Sequence, residues 1–309
     1  MSRDARLVRD PHQKEIVKLF SAFDGSKNRR QIFDDFLWMT AIAISNAVDL
    51  SHREEREARY MDIVKQYKPK DMEIFARMVS EITAGMESNP DQDFLGEMYM
   101  ALDFGSSSAG QFFTPYDVCR FMAECAGNYD ELKKDIEERG FVSVLDPACG
   151  AGATLVAFAN ECKRKGINYQ RQVLFVAQDI DHTVACMCYI ALSLMGCAGY
   201  VVVGDSLSNP ARFRDRRGLI PVDEGNVWYT PMAIVSGDWT FRRTCASFEI
   251  LSAQAAGESA PEPAAEPLQR PEDPVEAPTP ASISPEPKRP AEAEITAFEE
   301  TEFGQLTFF

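Results

Sequence analysis

The sequence has 309 residues, of which 45% are hydrophobic, and a formal net charge of -16. A chain of this length can bury a sizeable core and could form two domains. Its acidic balance argues against a broad nucleic-acid-binding surface, so any such contact must come from a local basic cluster or a partner. No apolar run reaches the roughly 18–20 residues of a membrane span, and the N-terminus lacks the apolar core of a signal peptide. We therefore expect a cytoplasmic protein without a membrane partner.

Residues 1–90 are predicted to form a helical N-terminal domain. Apolar residues recur at helical spacing along residues 28–49, and a second periodic stretch covers residues 54–67. Pro69 suits the first turn of a further helix, because proline is favoured at the start of helices. The helical pattern ends at the Asn-Pro pair that closes this segment.

Strands and helices are predicted to alternate along the next segment, residues 91–251. After a short helix, the order is strand, helix, strand, helix, strand, at residues 142–145, 153–164, 172–177, 183–195 and 199–203. Such alternation implies right-handed crossovers and a parallel sheet. The fold class is therefore α/β, with a ligand expected at the carboxyl ends of the strands.

The last part of the sequence divides into a linker and a short apolar end. From Ser252 onward there are twelve acidic and three basic residues, which carry -9 of the total charge. Residues 252–297 are rich in Pro, Ala and Glu, so we expect a disordered linker. Residues 298–309 regain apolar side chains, which predicts a C-terminal docking peptide.

A glycine-rich turn after the first predicted strand is the strongest chemical signal. Residues 146–152 read Asp-Pro-Ala-Cys-Gly-Ala-Gly. The glycines let the backbone turn sharply and approach a ligand closely, and a carboxylate at the strand end can pair with a cationic or hydroxyl group. The candidate cofactor-binding residues of this turn are Asp146, Pro147, Ala148, Gly150 and Gly152.

The turn resembles that of S-adenosylmethionine-dependent methyltransferases, in particular the adenine-N6 DNA methylases related to modification subunits of type I restriction systems. Residues 110–115, Gly-Gln-Phe-Phe-Thr-Pro, are similar to another motif of these methylases. The resemblance implies a class I methyltransferase-like (Rossmann-like) partial sheet, S-adenosyl-L-methionine as cofactor and DNA as substrate. It also implies that the methionine end of the cofactor is wrapped by Gln111, Phe112, Phe113, Thr114 and Pro115.

Two further acids follow the second and third predicted strands. Asp179 occupies the position at which a carboxylate can accept two hydrogen bonds from the ribose hydroxyls of a nucleoside. Asp181 is the alternative, although the spacing favours Asp179. Residues 204–207 resemble the family's Gly-Asp-Ser-Leu motif, which implies that Asp205, with Ser206 beside it, contacts the adenine of the cofactor.

The catalytic motif of the family is not intact. Methylases of exocyclic amines carry Asn/Asp-Pro-Pro-Tyr/Phe, in which the first side chain accepts hydrogens of the amine and the aromatic ring stacks on a flipped base. No such tetrad occurs in these 309 residues. The segment at the most suitable distance, and hence the candidate catalytic segment, is Tyr229, Thr230, Pro231 and Met232.

The C-terminal pentapeptide resembles the peptide by which bacterial replication and repair proteins bind the β sliding clamp. Its candidate partner-binding residues are Gln305, Leu306, Phe308 and Phe309. A glutamine amide and apolar side chains could fill a groove on such a partner. The preceding linker has a flexible-coil span of roughly 35–40 Å, so it could tether the folded part to a ring on DNA.

Two functional hypotheses follow from these motifs. The first is a truncated DNA methyltransferase of the restriction-modification type, which transfers a methyl group to adenine N6 and relies on a second subunit for target recognition. The second is a non-catalytic S-adenosylmethionine-binding adaptor that is recruited to the replication clamp.

Overall fold

The structure, a computed structural model, describes residues 8, 10–25, 27–102, 113–126, 128–223, 225–255, 298–300 and 305–308. The helices are α1 (Pro11–Leu19), a 3-10 turn (Phe20–Ala22), α2 (Arg29–Asn46), α3 (Arg53–Val64), α4 (Pro69–Ser88), α5 (Phe94–Ala101), α6 (Tyr116–Ala126), α7 (Tyr129–Arg139), α8 (Ala153–Arg164), α9 (Tyr169–Gln172), α10 (His182–Leu194), α11 (Pro231–Val235) and α12 (Gly237–Ala255). The strands are β1 (Val142–Asp146), β2 (Val173–Asp179), β3 (Ala198–Val203), β4 (Val227–Tyr229), β5 (Phe298–Glu300) and β6 (Gln305–Phe308). Within this described part, no helix has the length and apolar character needed to cross a membrane.

The N-terminal segment is helical, and its helix starts follow ordinary capping chemistry. Asp10 accepts a hydrogen bond from the backbone N–H of His12 at 2.8 Å, and Asn28 accepts one from Gln31 at 2.7 Å. Pro69 occupies the first turn of α4, as predicted. The two side chains accept hydrogen bonds from backbone N–H groups that have no partner inside the helix, and proline has no such N–H group.

The sheet has the order β4-β3-β2-β1-β6-β5. Strands β1, β2 and β3 are parallel neighbours joined by helical crossovers, which confirms the predicted α/β class with a partial parallel sheet. Strand β4 was not predicted, and it pairs antiparallel with β3. It can do so because the chain between these two strands forms a hairpin without a crossover helix, so it returns in the opposite direction.

Alternate residues of β2 face two different hydrophobic clusters. Val173, Phe175 and Ala177 belong to a large cluster that continues through the N-terminal helices. Leu174 and Val176 belong to a smaller cluster formed with α11, α12 and the hairpin before β4. Side chains of a strand point alternately to opposite faces, so the sheet is covered on both sides.

A buried arginine joins the N-terminal helices to the sheet. Arg56 of α3 is only 7% exposed, and its guanidinium pairs with Asp49 at 2.8 Å. The same group donates to the backbone carbonyl of Val227 in β4 at 2.8 Å and lies 4.1 Å from the centre of the Trp228 ring. The helices of residues 1–90 and the sheet therefore share both a polar anchor and a hydrophobic core.

The C-terminal residues contribute backbone pairing to the sheet. Strand β6 runs parallel to β1, with Ser143 opposite Gln305 and Leu145 opposite Thr307. Strand β5 pairs antiparallel with β6. Helix α12 continues to Ala255, past the predicted start of the linker, and the linker prediction for residues 256–297 lies outside the described residues.

Candidate functional site

Three predicted acidic residues lie at one edge of the sheet. Because β1, β2 and β3 are parallel, their carboxyl ends meet at this edge, which we call the carboxyl edge. Asp146 ends β1 and Asp179 ends β2, where it lies opposite Val203 of β3. Asp205 follows two residues after Val203. The three acids therefore share the carboxyl edge, and Asp146 and Asp179 lie close enough for their charges to interact.

The turn after β1 requires its two glycines. Gly150 has φ 55° and Gly152 has φ 92°, values in the left-handed region that side chains disfavour. A Cβ atom on Gly152 would lie 3.0 Å from Sγ of Cys188 in α10. The turn can therefore lie close against α10, and α8 begins directly after it.

Asp146 organises the glycine turn from inside. Its side chain is 5% exposed, and it accepts hydrogen bonds from the backbone N–H of Ala148 at 3.1 Å and from the Thr154 hydroxyl. Burial raises the pKa of this carboxyl above its usual value. One oxygen is thus engaged within the turn and the other at the start of α8. Pro147 is half-buried and Ala148 is exposed at the same edge.

Asp179 joins the turn after β1 to the turn after β2. One carboxylate oxygen accepts the backbone N–H of Gly150 at 2.9 Å, and the other accepts that of Asp181 at 2.9 Å. Burial raises the pKa of Asp179. A carboxylate has about four acceptor positions, so capacity remains for further donors. Asp181, the alternative candidate, instead caps α10 by accepting the backbone N–H of Thr183 at 2.8 Å.

Asp205 lies in an ordered turn after β3. Its oxygens accept the backbone N–H of Leu207 at 2.9 Å and the hydroxyl of Ser208 at 2.8 Å, and these bonds lower the pKa of Asp205. The buried amide of Gln178 stabilises the same turn, because it donates to the carbonyl of Asn209 at 2.9 Å. Ser206 lies half-buried within the turn. Sequence reasoning missed Gln178, whose role depends on contacts with a distant loop.

Two exposed apolar side chains flank these acids. Ile180 follows Asp179 directly and is 69% exposed, and Leu207 follows Asp205 by two residues and is 88% exposed. Their position beside the acids makes both side chains available for contact with a flat apolar ligand at this edge. Sequence reasoning missed both residues, although their places beside the predicted acids were a usable signal.

Phe113 lies against the glycine turn. Its ring lies 3.5 Å from the position of a Cβ on Gly150, and it stacks on Tyr99 at a centroid distance of 5.6 Å. Thr114 and Pro115 are exposed and immediately precede α6. The predicted contacts of Gln111 and Phe112 lie outside the described residues.

The N-terminal helices also reach the carboxyl edge. The ring of Trp38 in α2 stacks on His182, the first residue of α10, at 3.5 Å and 13°, and Arg59 lies 4.4 Å from the Trp38 ring centre. Burial and the charge of Arg59 lower the pKa of His182 to about 4, so it is neutral at pH 7. Burial raises the pKa of nearby Asp34 to about 6. Sequence reasoning missed this contact between distant helices.

The candidate catalytic segment does not lie at the carboxyl edge. Tyr229 pairs with Tyr200 in the first half of β3, and the Thr230 hydroxyl donates to the carbonyl of Cys197 just before that strand. Pro231 and Met232 then begin α11. Antiparallel pairing carries the end of β4 toward the amino end of β3. The structure therefore places these four residues at the opposite edge of the sheet from Gly150 and Asp179, and this corrects the predicted catalytic role.

The predicted partner-binding peptide coincides with β6. Gln305 and Leu306 take their places opposite Ser143 and Val144 of β1 through backbone pairing, and Phe308 pairs with Phe298. Phe309 lies outside the described residues.

The predicted cofactor-binding residues lie within a segment that matches a known family. Residues 90–220 match the N-6 DNA Methylase family. This match contains Phe113, the glycine turn, Asp179 and Asp205, and it ends before Tyr229. It covers the part of the chain that builds the carboxyl edge.

A curated relative and two solved structures are similar to the chain. The chain is 29% identical over 134 residues to the type I restriction enzyme MjaVII methylase subunit of Methanocaldococcus jannaschii, an alignment that covers 41% of this chain. It spans only 21% of the length of that relative. A class I S-adenosylmethionine-dependent methyltransferase structure from Listeria monocytogenes has a TM-score of 0.33 at 16% identity, covering 71% of this chain and 66% of that one. The type I restriction-modification methyltransferase subunit of Streptococcus thermophilus has a TM-score of 0.32 at 12% identity, covering 64% and 58%.

Proposed function

We propose that the chain binds S-adenosylmethionine at the carboxyl edge and contributes to methyl transfer from it to adenine N6 in DNA. The observation that carries this proposal is the hydrogen bond from the Gly150 N–H to Asp179, which joins the two turns that a nucleoside would bridge. The match of residues 90–220 to the N-6 DNA Methylase family supports the choice of reaction. It favours an enzyme over a non-catalytic adaptor.

The side chains at the carboxyl edge fit the chemistry of this cofactor. Asp179 can accept hydrogen bonds from both ribose hydroxyls, since a carboxylate accepts from a diol. Ile180 and Leu207 offer exposed apolar surface for an adenine ring, and Asp205 lies beside Leu207 as a polar neighbour. Phe113 covers the turn where the methionine end would lie. The cofactor, when bound, supplies an electrophilic methyl group on its sulfonium.

The residues that hold the target base are proposed to come from outside these 309 residues. Transfer to an exocyclic amine needs an acceptor for the amine hydrogens and an aromatic ring that stacks on the extruded base. The sequence has no Asn/Asp-Pro-Pro-Tyr/Phe tetrad, and Tyr229 lies at the other edge of the sheet. We therefore propose a second subunit that recognises the DNA target and completes the site, with the assembly acting in the cytoplasm.

Methylation in cells tests this function. The chain, expressed together with the proposed second subunit in a bacterial host that lacks adenine methylation, is expected to introduce N6-methyladenine at a defined DNA sequence. Modification-sensitive sequencing of the host DNA provides the readout, and the Asp179→Ala variant, expressed with the same second subunit, serves as the control. An unmodified genome, despite measurable binding of S-adenosylmethionine by the purified chain, would support the adaptor instead.

The last five residues support a further proposal, that the chain docks on the β sliding clamp through Gln305, Leu306, Phe308 and Phe309. The backbone of Gln305–Phe308 pairs with β1, so docking would require β6 to leave the sheet. Deletion of residues 305–309 is expected to abolish binding to the purified clamp in surface plasmon resonance, and it also removes the pairing of β6 with β1. Binding that survives the deletion contradicts the proposal.

A further inference from the structure

A basic hairpin connects β3 to β4. Residues 212–217 include four arginines and one aspartate, in a chain whose net charge is -16. The hairpin is closed by backbone hydrogen bonds from Arg214 N–H to the Ile220 carbonyl at 2.8 Å and from Val222 N–H to the Arg212 carbonyl at 2.9 Å. These bonds fix the backbone from which the arginines project.

The tip of the hairpin is tied down as well. Asp215 accepts the backbone N–H of Arg217 at 2.9 Å and that of Ile220 at 2.7 Å. The hydroxyl of Tyr200, in the sheet, donates to the carbonyl of Gly218 at 2.5 Å. The Asp215 carboxylate is therefore hydrogen-bonded to backbone N–H groups of the hairpin, and the tip is held against the sheet by Tyr200.

Aromatic rings orient the guanidinium groups next to this tip. Arg217 lies 3.8 Å from the centre of the Phe141 ring, and Arg242 of α12 lies 4.4 Å from the centre of the Trp239 ring. Both also donate to backbone carbonyls at the end of α7 or just after it. Within the described ranges, no carboxylate lies within ion-pair distance of either guanidinium. Burial, together with the neighbouring charges of Arg139 and Arg242, lowers the pKa of Arg217.

A cleft of about 500 Å³ lies between the hairpin and α12, beside the amino end of β1. We call it the arginine cleft, and its lining includes Arg214, Arg216, Arg217, Arg242, Phe141 and Phe241. Asp215 and Glu249 also line it, so the charged side chains of the lining leave an excess of positive charge. Phe241 is 70% exposed. The cleft thus combines guanidinium groups with an accessible aromatic ring.

This combination matches the chemistry of a nucleic-acid strand. Arginine presents a planar fork that binds phosphate through two hydrogen bonds, and exposed aromatic rings stack on bases or sugars. The arginines also continue away from the cleft, because Arg212 lines a small depression with Val203 and Asn209 near the carboxyl end of β3. Asp223 lines the same depression as Arg212, so the excess of positive charge is confined to the arginine cleft.

We propose that the arginine cleft binds the phosphodiester backbone of a nucleic-acid strand. This inference goes beyond the proposed function, because the cleft lies beside the amino end of β1 and binding there does not depend on methyl transfer. It also supplies the local basic cluster that an acidic chain needs to contact nucleic acid. An acidic polypeptide is the competing ligand, and the exposed ring of Phe241 beside the arginines favours nucleic acid, whose bases can stack on it.

Fluorescence anisotropy with labelled oligonucleotides tests the proposal on the full chain. A single strand and a duplex of the same 30-nucleotide sequence are titrated at about 50 mM salt and at two higher concentrations. The double variant Arg214→Ala/Arg216→Ala is expected to bind at least about tenfold more weakly and to reduce the slope of log K against log salt by roughly 1.4–1.8, since each lost phosphate contact removes about 0.7–0.9. The two oligonucleotides distinguish single-stranded from duplex ligand, and binding of either supports the proposal.

The matched control is Lys65→Ala/Lys70→Ala, which removes two exposed cations from the N-terminal helices. It is expected to leave affinity and slope nearly unchanged, as is Asp179→Ala, so that loss of nucleic-acid binding and loss of cofactor binding are separable. Circular dichroism verifies that each variant is folded. Equal affinity of the arginine variant and wild type overturns the proposal. A polyglutamate peptide that binds the cleft when neither oligonucleotide does would overturn it too.

Discussion

Replacement of Asp179 by alanine is expected to weaken S-adenosylmethionine binding by roughly 30- to 1,000-fold. Two hydroxyl-to-carboxylate hydrogen bonds would be lost, worth about 2–4 kcal/mol together. The substitution also removes the acceptor for the Gly150 N–H, 2.9 Å away, which holds the glycine turn against the end of β2. Isothermal titration calorimetry on the purified chain measures the change.

The matched control is Asp181→Ala, which removes the same charge two residues later. Asp181 caps α10, so this variant should lose roughly 1 kcal/mol of stability while the dissociation constant stays within about threefold of wild type. If the two substitutions weaken binding equally, Asp179 has no special role at the ribose. If Asp181→Ala alone weakens it, the alternative assignment from the sequence is the correct one.

Replacement of Trp239 by alanine is expected to lower the free energy of unfolding by about 3–5 kcal/mol, the range for a fully buried aromatic residue. Trp239 is 0% exposed, and its indole N–H donates to the Gln170 carbonyl at 2.8 Å. Its ring packs edge-on against Phe141 at a centroid distance of 5.3 Å. The substitution leaves a cavity between α12 and the sheet, together with an unpaired carbonyl. Urea denaturation followed by circular dichroism gives the change.

Phe241 provides the comparison on the same helix. It lies two residues after Trp239 and is 70% exposed, so Phe241→Ala should change the free energy of unfolding by no more than about 0.5 kcal/mol. Comparison of the two variants shows whether the loss of stability comes from removing a buried side chain or from removing any aromatic ring. Losses of similar size in the two variants would mean that α12 does not pack on the sheet as described.

Most of the fold could be predicted from the sequence, in those segments where the pattern of apolar residues matches their burial in the core. Helix α8 has the predicted bounds because a glycine turn starts it and its apolar positions face the core continuously. The three parallel strands were found because each is a short buried run and because helices separate β1 from β2 and β2 from β3. Strand β4, with only three residues, was missed since so short a run has no period of its own and is defined by its pairing with β3.

The sequence allowed us to predict those site residues that lie at or just after the ends of strands. Asp146, Asp179 and Asp205 could be placed at one edge because parallel strands bring their carboxyl ends together. The supporting amide of Gln178 could not, because its partners come from a loop about thirty residues away. The spacing along the chain also gave the wrong location for Tyr229. Spacing does not reveal whether the chain reverses direction between two strands, and here the reversal places this residue at the opposite edge of the sheet.

The buried guanidinium of Arg56 has a consequence for how the chain loses its structure. Separation of the N-terminal helices from the sheet would leave this cation without the Val227 carbonyl and without its place over Trp228. It would also expose the apolar surface of one continuous cluster to water. We therefore expect the helices to melt and the β3–β4 pair to open in a single cooperative transition.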